Sequence, residues 1–372
     1  MSILTSKIRL FPTSDQEQQM WKSVGVRRWS YNWTLKKQQN NYNNGGKFIS
    51  DNDLRKELTQ LKKTEEYQWL NEVSSNIPKQ AIKDACIAYA RFFKKQSNCP
   101  KFKSKKKSTP SFYNDNVKLK VKINSILLEK IGWVKIKENI PLNCKYFRPT
   151  VSYDGKYWYL SVGIEQQNNI SELTNEVIGI DVGIKELAVC SNGIVFKNIN
   201  KTKGVKKVEK KLRRLQRRVS RKYENNKKGE SYHKTSNIKK LEKRIKLVYR
   251  KLNGIRKNHL HQATNQIVKT KPSKVVMETL NIQGMMKNKH LSKAIQQQGL
   301  YEFKRQMKYK CEFNGIEFVE ADRWFPSSKT CSKCGNIKKK LLLSERTYIC
   351  EECGLKIDRD FNAAINLSRY SA

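Results

Sequence analysis

Cys331-Ser-Lys-Cys334, a fifteen-residue spacer, Cys350-Glu-Glu-Cys353 and then Asp358-Arg-Asp360-Phe-Asn-Ala-Ala364 is the stretch whose reading decides this chain. Two CxxC pairs at this spacing suit one four-thiolate zinc site of the structural kind, with Cys331, Cys334, Cys350 and Cys353 as ligands. Each pair folds back so that both sulfurs face one ion. Gly335 and Gly354, directly after the pairs, permit the tight turn. Two disulfides, or cysteines that fall at this spacing incidentally, are the competing readings. The knuckle runs straight into a carboxylate-bearing segment, which places a soft metal site beside hard oxygen donors.

Composition supplies the partner. The 372 residues hold 77 Lys+Arg against 33 Asp+Glu, a formal net charge of +44. Such an excess opposes compaction unless a polyanion neutralises it. Nucleic acid is the natural polyanion, because phosphate neutralisation and counterion release drive its binding. The length allows two or three domains with real cores. A hydrophobic share of 37%, with 7 Trp, 16 Tyr and 13 Phe, excludes a disordered chain. No apolar run approaches membrane length, so no membrane partner is expected. Met1–Phe11 is too short and alternating for a signal peptide and reads as a strand. Nine cysteines, four of them placed for zinc, suit a reducing compartment, hence a cytoplasmic protein. Cys86, Cys99, Cys144, Cys190 and Cys311 read as plain thiols.

Outward from the motif, the chain divides by pattern. Ser14-Asp-Gln-Glu17 reads as a capping box opening a helical block that runs to about residue 95, with Pro78 near the start of its clearest helix. Trp29, Tyr31 and Trp33 read as core, with base stacking as the alternative. Pro100–Lys107 is a basic linker in which Lys101 and Lys103 are candidate phosphate contacts. Short β segments follow to about 165, with a hairpin turn at Asp154-Gly155. Residues 166–171 read as a linker. Val177–Ile180 is a buried strand opening a β-meander. Residues 201–250 hold 21 Lys/Arg against 4 Glu. Apolar positions there recur in steps of three and four, which predicts two long antiparallel helices with a narrow seam and basic outer faces. Arg213, Arg214, Arg217 and Arg218 are the candidate nucleic-acid contacts on that face. Another buried strand, Lys274–Glu278, precedes a helix from about Leu291 to Phe313, a strand at Ile316–Val319, the cysteine segment and a final helix near 360–368.

Two apolar strands thus end in an acid, Asp181 and Glu278, and a third acid opens a helix rich in small residues. Together they resemble the acidic centre of an RNase H-like fold. Such a cluster repels itself without divalent cations, and hard carboxylates suit Mg²⁺ or Mn²⁺ rather than zinc. Asp358 competes with Asp360 for the third place, although Asp358 could equally cap the helix.

Gly179-Ile-Asp181-Val-Gly-Ile-Lys-Glu-Leu-Ala188, Glu278-Thr-Leu-Asn-Ile-Gln-Gly-Met-Met-Lys-Asn288, Arg323-Trp-Phe-Pro-Ser-Ser-Lys-Thr-Cys331-Ser-Lys-Cys-Gly335 and Asp358-Arg-Asp360-Phe-Asn-Ala-Ala-Ile-Asn366 resemble TnpB, the transposon-encoded RNA-guided nucleases related to type V CRISPR effectors. The resemblance implies a multidomain α+β protein. Its parts are a wedge β-barrel (1–11 and 111–172), a helical recognition lobe (12–110) and a RuvC-like, RNase H-like nuclease domain (173–324 and 355–372). The last contains the basic hairpin (201–271) and a zinc-ribbon insert for target nucleic acid (325–354). It implies catalytic, magnesium-binding acids at Asp181, Glu278 and Asp360, a structural zinc, a guide RNA from the transposon end and cleavage of double-stranded DNA beside a short motif. Gln80 and Lys329 join the candidate nucleic-acid contacts. A monomer is expected. A nuclease-inactive guided repressor and a DNA transposase with the same fold are the alternatives.

Overall fold

A computed structural model describes residues 2–142, 144–167, 172–342 and 344–371. The chain divides into two compact units, Met1–Gln167 and Asn168–Ala372. The expected linker at 166–171 falls at this division, and its residues 168–171 lie outside the described residues.

In the first unit, β1 (Ser2–Phe11) leads into α1 (Ser14–Asn43). The capping box sits one residue earlier than the sequence reading places it. Thr13 is the N-cap: its hydroxyl accepts from the Gln16 N–H at 3.3 Å, and the Gln16 side chain accepts from the Thr13 N–H at 3.1 Å. Thr13 takes the role because its backbone is extended (ψ 171°), whereas Ser14 is already helical. Then come α2 (Asp51–Leu61), a 3₁₀ segment (Glu65–Glu72) and α3 (Asn76–Phe93). The strands β2 (Ser111–Tyr113), β3 (Lys120–Lys122), β4 (Ser125–Leu128), β5 (Gly132–Ile136), β6 (Tyr146–Tyr153) and β7 (Trp158–Gln166) complete a seven-stranded antiparallel sheet. Its order is β2-β6-β7-β1-β5-β4-β3. Alternation along β1 puts Ile8 and Leu10 inside, opposite Leu160 and Trp158 of β7. These share one core with Met20, Leu54, Leu70, Ile77 and Ile82 of the helical block. The helices interrupt the sheet in sequence but close over it in space.

The second unit opens with the meander β8 (Val177–Val182), β9 (Glu186–Cys190) and β10 (Val195–Lys197). The basic hairpin follows as α4 (Lys203–Glu224), a small turn of β11 (Lys227–Lys228) and β12 (Ser231–Tyr232), and α5 (Ser236–Lys269). Val205, Leu212, Val248 and Leu252 form its buried seam. After β13 (Lys274–Glu278) come α6 (Ile282–Met286), α7 (Ser292–Gln298), α8 (Leu300–Phe313) and β14 (Glu317–Ala321). The single helix expected over Leu291–Phe313 is two. Gly299 takes a left-handed backbone, φ 72°, which ends α7, and the chain restarts at Leu300. The break lets Ile295, Leu300 and Phe303 all reach the same core. A ribbon hairpin of β15 (Thr347–Ile349) and β16 (Lys356–Asp358) precedes α9 (Arg359–Ser368).

The five-stranded sheet has the order β10-β9-β8-β13-β14, with β13 parallel to β8 and β14 parallel to β13. Its two faces differ. Ile178, Ile180, Val182, Val275 and Met277 pack on Leu260, Ile267, Phe303 and Met307 of α5 and α8. The opposite face carries Val276 and Ala321, packed against Leu367 of α9. In parallel register Gly179 faces Val276, and Val276 faces Val319. Asp181 and Glu278 lie two residues further along the same face. Among the described residues no helix is long and apolar enough to cross a membrane.

Candidate active site and metal centre

Asp181 and Glu278 meet because two apolar strands run in parallel and in register. Met277 lies opposite Ile180, so the next residue of each strand is its acid. Strands about 4.8 Å apart thus bring the two carboxylates together on one face.

The third acid arrives on α9. Asp358 is the N-cap: its Oδ1 accepts from the N–H groups of Asp360 (2.9 Å) and Phe361 (3.0 Å). The structure therefore uses Asp358 to start the helix and leaves the Asp360 carboxylate to face the sheet acids. The helix approaches β8 closely enough to demand small residues. A Cβ on Gly179 would fall 2.0 Å from the Ala364 carbonyl oxygen and 2.4 Å from the Ser368 nitrogen. Ala363 and Ala364 are fully buried at this contact. The sequence pattern by itself gives Gly179 no role. A glycine inside an apolar strand was the available signal of close backbone approach.

The electrostatics of the two sheet acids are set by burial and by the acids beside them. Burial, then Glu278 and Asp360, hold the Asp181 carboxyl well above the ordinary range, and Arg359 alone pulls it down. Burial and then Asp360 push Glu278 up to about 7. The Arg359 guanidinium donates to Asp360 Oδ1 from Nη2 at 3.1 Å and Nε at 3.3 Å. Burial and neighbouring acids thus oppose ionisation of Asp181 and Glu278, and carboxylates offer the hard oxygen donors that suit a divalent cation such as Mg²⁺.

The cysteines close around one point. Their four Sγ atoms all lie within 4.8 Å of one another, the one such metal-competent group found among the described residues. Cys331 and Cys353 are 3.6 Å apart, as are Cys334 and Cys350. That is too long for a disulfide and close to the edge, about 3.8 Å, of a sulfur tetrahedron built on Zn–S bonds of about 2.3 Å. Gly335 (φ 78°) and Gly354 (φ 66°) make the knuckle turns. Backbone N–H groups of Cys353 and Glu352 bring the Cys350 thiol down to about 6. The other five cysteines are free thiols. Burial pushes Cys86 up to about 11 and Cys190 and Cys311 to about 12, so these stay protonated.

Helix α9 joins the two centres. Its Asn362 donates to the Thr330 carbonyl (2.7 Å) and accepts from the Ser332 N–H (3.0 Å). Asn366 donates to the carbonyls of Ser327 (2.8 Å) and Thr330 (2.7 Å), and Arg369 donates to that of Ser332. One side of α9 thus holds the first knuckle while Ala363, Ala364 and Leu367 hold the sheet.

The candidate nucleic-acid residues fare differently. Arg213 and Arg217 line a shallow groove on α4 with Gln216, Ser220 and Arg221, and Arg214 and Arg218 are exposed beside it. Lys101 is exposed. Lys103 is engaged within its own unit. Its ammonium lies 3.6 Å from the Tyr31 ring centroid, Asn32 pairs with its backbone, and burial lowers its pKa to about 8. The Gln80 amide donates to Asp84 at 2.8 Å. Lys329 reaches the Lys339 carbonyl at 3.4 Å.

Comparison with known proteins adds an independent line. Residues 160–289 match the IS605 OrfB family described as "Probable transposase", and residues 301–367 match "Cas12f1-like, TNB domain". Residues 1–47 match a family described as "Helix-turn-helix domain", although here they hold one strand and one long helix. A protein of Streptomyces pristinaespiralis named "Putative RNA-guided DNA endonuclease" is 32% identical, over 97% of this chain and 87% of its own length. Its Escherichia coli K12 counterpart, InsQ, is 29% identical over 97% and 90%. The Cas12f1 chain of a cryo-EM complex with sgRNA and target DNA superposes with a TM-score of 0.60 at 14% identity. The match covers 95% of this chain and 82% of that one, a likeness of fold.

Proposed function

We propose that this chain, which belongs to the TnpB/IS605 OrfB family, is a transposon-associated RNA-guided endonuclease that hydrolyses double-stranded DNA beside a short adjacent motif. The observation that carries the reading is the convergence of Asp181, Glu278 and Asp360 on one sheet face. Three antiparallel strands flanked by two parallel ones support an RNase H-like, RuvC-type core for the second unit. The basic hairpin and zinc ribbon are its insertions. In the first unit we read a wedge β-barrel at 1–11 and 111–172 and a recognition lobe at 12–110. The four cysteines would hold a structural zinc. The guide RNA, a monomeric state and a cytoplasmic setting complete the proposal.

Two Mg²⁺ or Mn²⁺ ions would activate a water and stabilise the leaving oxygen of the phosphodiester. The protein's part is placement. Asp181 and Glu278 are fixed by strand register, and Asp360 is aimed by a helix that Asp358 starts and the ribbon holds. Arg359 orients the Asp360 carboxylate through two hydrogen bonds to one oxygen. The Arg-rich face of α4 supplies phosphate neutralisation.

The test uses the full-length chain purified with its bound nucleic acid. A discrete RNA should copurify, and the complex should cut a matched plasmid only with Mg²⁺. Asp181→Ala should slow cutting on the order of 10³-fold while retaining the RNA. Unchanged cutting by that variant sinks the site assignment, and absence of any RNA moves the reading to a transposase.

A further inference from the structure

The turn after β14 belongs to neither centre. Ala321, the last residue of β14, lies opposite Glu278 in parallel register, and the Thr279 hydroxyl donates to its carbonyl at 2.8 Å. The chain then passes through Asp322-Arg323-Trp324-Phe325, pinned at each step. The Asp322 N–H reaches the Tyr370 hydroxyl oxygen at 3.2 Å. Asp322 Oδ1 accepts from the Trp324 N–H at 2.7 Å, and its carbonyl accepts from the Phe325 N–H at 3.1 Å. Phe325 packs edge-on against Tyr370, with ring centroids 4.9 Å apart. Between these anchors Trp324 is 81% exposed, the most exposed large hydrophobic side chain among the described residues. The exposed Arg323 holds its guanidinium 5.3 Å from the indole centroid.

A rigid turn that holds an indole in water forgoes the apolar burial a tryptophan ordinarily contributes. Fold stability does not account for it, since the next residue, Phe325, supplies the packing. Trp324 lies three residues beyond the strand position facing Glu278, at most about 11 Å of chain. A flat aromatic face with an adjacent cation is the element with which proteins hold unpaired bases without reading sequence. Duplex DNA hides its base faces in the stack, so the ligand must be single-stranded where it passes.

We infer that Trp324 is a stacking platform for an unpaired base of the DNA strand delivered to the carboxylate centre, with Arg323 meeting a neighbouring phosphate. The inference rests on the nuclease reading and names where its substrate strand is gripped. A guide RNA is the competing occupant.

The test uses the purified complex carrying Asp181→Ala, so that DNA is bound and not cut. The probes are labelled oligothymidine unrelated to the guide, an abasic oligomer of equal length and charge, and oligouridine. Salt is raised until phosphate contacts are screened. Wild-type Trp324 should prefer oligothymidine over the abasic oligomer. Trp324→Ala should cut that preference about tenfold or more, and Trp324→Phe should restore most of it. Zinc content and melting should match in all three, since the side chain is exposed. An unchanged preference in Trp324→Ala overturns the proposal. So does a loss confined to oligouridine, which assigns the platform to RNA. Failure of the nuclease reading would show separately, as no Mg²⁺-dependent cutting of a matched plasmid by the wild-type complex.

Discussion

The cysteine centre and the carboxylate centre solve the same electrostatic problem by opposite means. Each gathers like-charged groups that cannot all ionise without a cation. The cysteine centre is local: each CxxC knuckle closes its own short turn, and glycines make that geometry. The carboxylate centre is assembled from residues far apart in sequence, through strand register and one close helix contact. The first can form once the ribbon folds. The second exists only when the whole sheet and α9 are in place. Helix α9 ties the two together through Asn362, Asn366 and Arg369, and the acid centre is expected to depend on the ribbon more than the ribbon on it.

Removing zinc should give the largest effect. Cys350→Ser, or chelation, forfeits a binding free energy of order 10 kcal/mol in such sites. We expect the ribbon to melt and cutting to be lost with it, because Asp360 loses its support. Circular dichroism melting beside zinc analysis checks this. Retained cutting in a zinc-free chain would break the proposed dependence.

Gly179→Ala probes the reverse direction. Its methyl group meets backbone atoms, which cannot swing aside, so a cost of about 3 kcal/mol or more is expected. Cutting should fall by orders of magnitude while zinc content holds at one ion per chain. Zinc loss in this variant would mean that the two centres depend on each other mutually.

Glu278 gives a pH signature. Its carboxyl titrates at about 7 in the folded chain, above the ordinary value of 4.5. Folded chain therefore binds a proton that unfolded chain releases across that window. Stability in magnesium-free, zinc-replete buffer should fall as pH rises from about 4.5 to 7, with the raised Asp181 carboxyl adding a fall of the same sign. Glu278→Gln should be more stable than wild type by about 3 kcal/mol at pH 8 and equal to it near pH 4, by denaturant titration. Added Mg²⁺ should stabilise wild type more than the variant. An equal response would remove Glu278 from the cation site.

Asn366→Ala gives the smallest and most diagnostic effect. It leaves the Ser327 and Thr330 carbonyls without this donor, at a cost of about 1–3 kcal/mol. Zinc should stay bound while cutting drops about tenfold. Full activity would show that the ribbon does not steer Asp360.

The amino-acid sequence determined the cysteine centre almost completely. Its ligands, spacing and turn glycines are contiguous, and short-range geometry leaves few alternatives. It also determined the strands ending in Asp181 and Glu278, through apolar runs closed by an acid, and the basic hairpin, through its seam. Tertiary structure decided the rest. Only the N-cap bonds of Asp358 separate it from Asp360, because the two acids differ in what they face and not in type. Only packing gives Gly179 its purpose, docks Lys103 on Tyr31 and turns Gly299 into a break. The physical reason is range: knuckles, caps and periodicity are set by neighbours a few residues away. The approach of α9 to β8, and with it the third corner of the acid centre, is set by backbone atoms that meet only after the chain has folded.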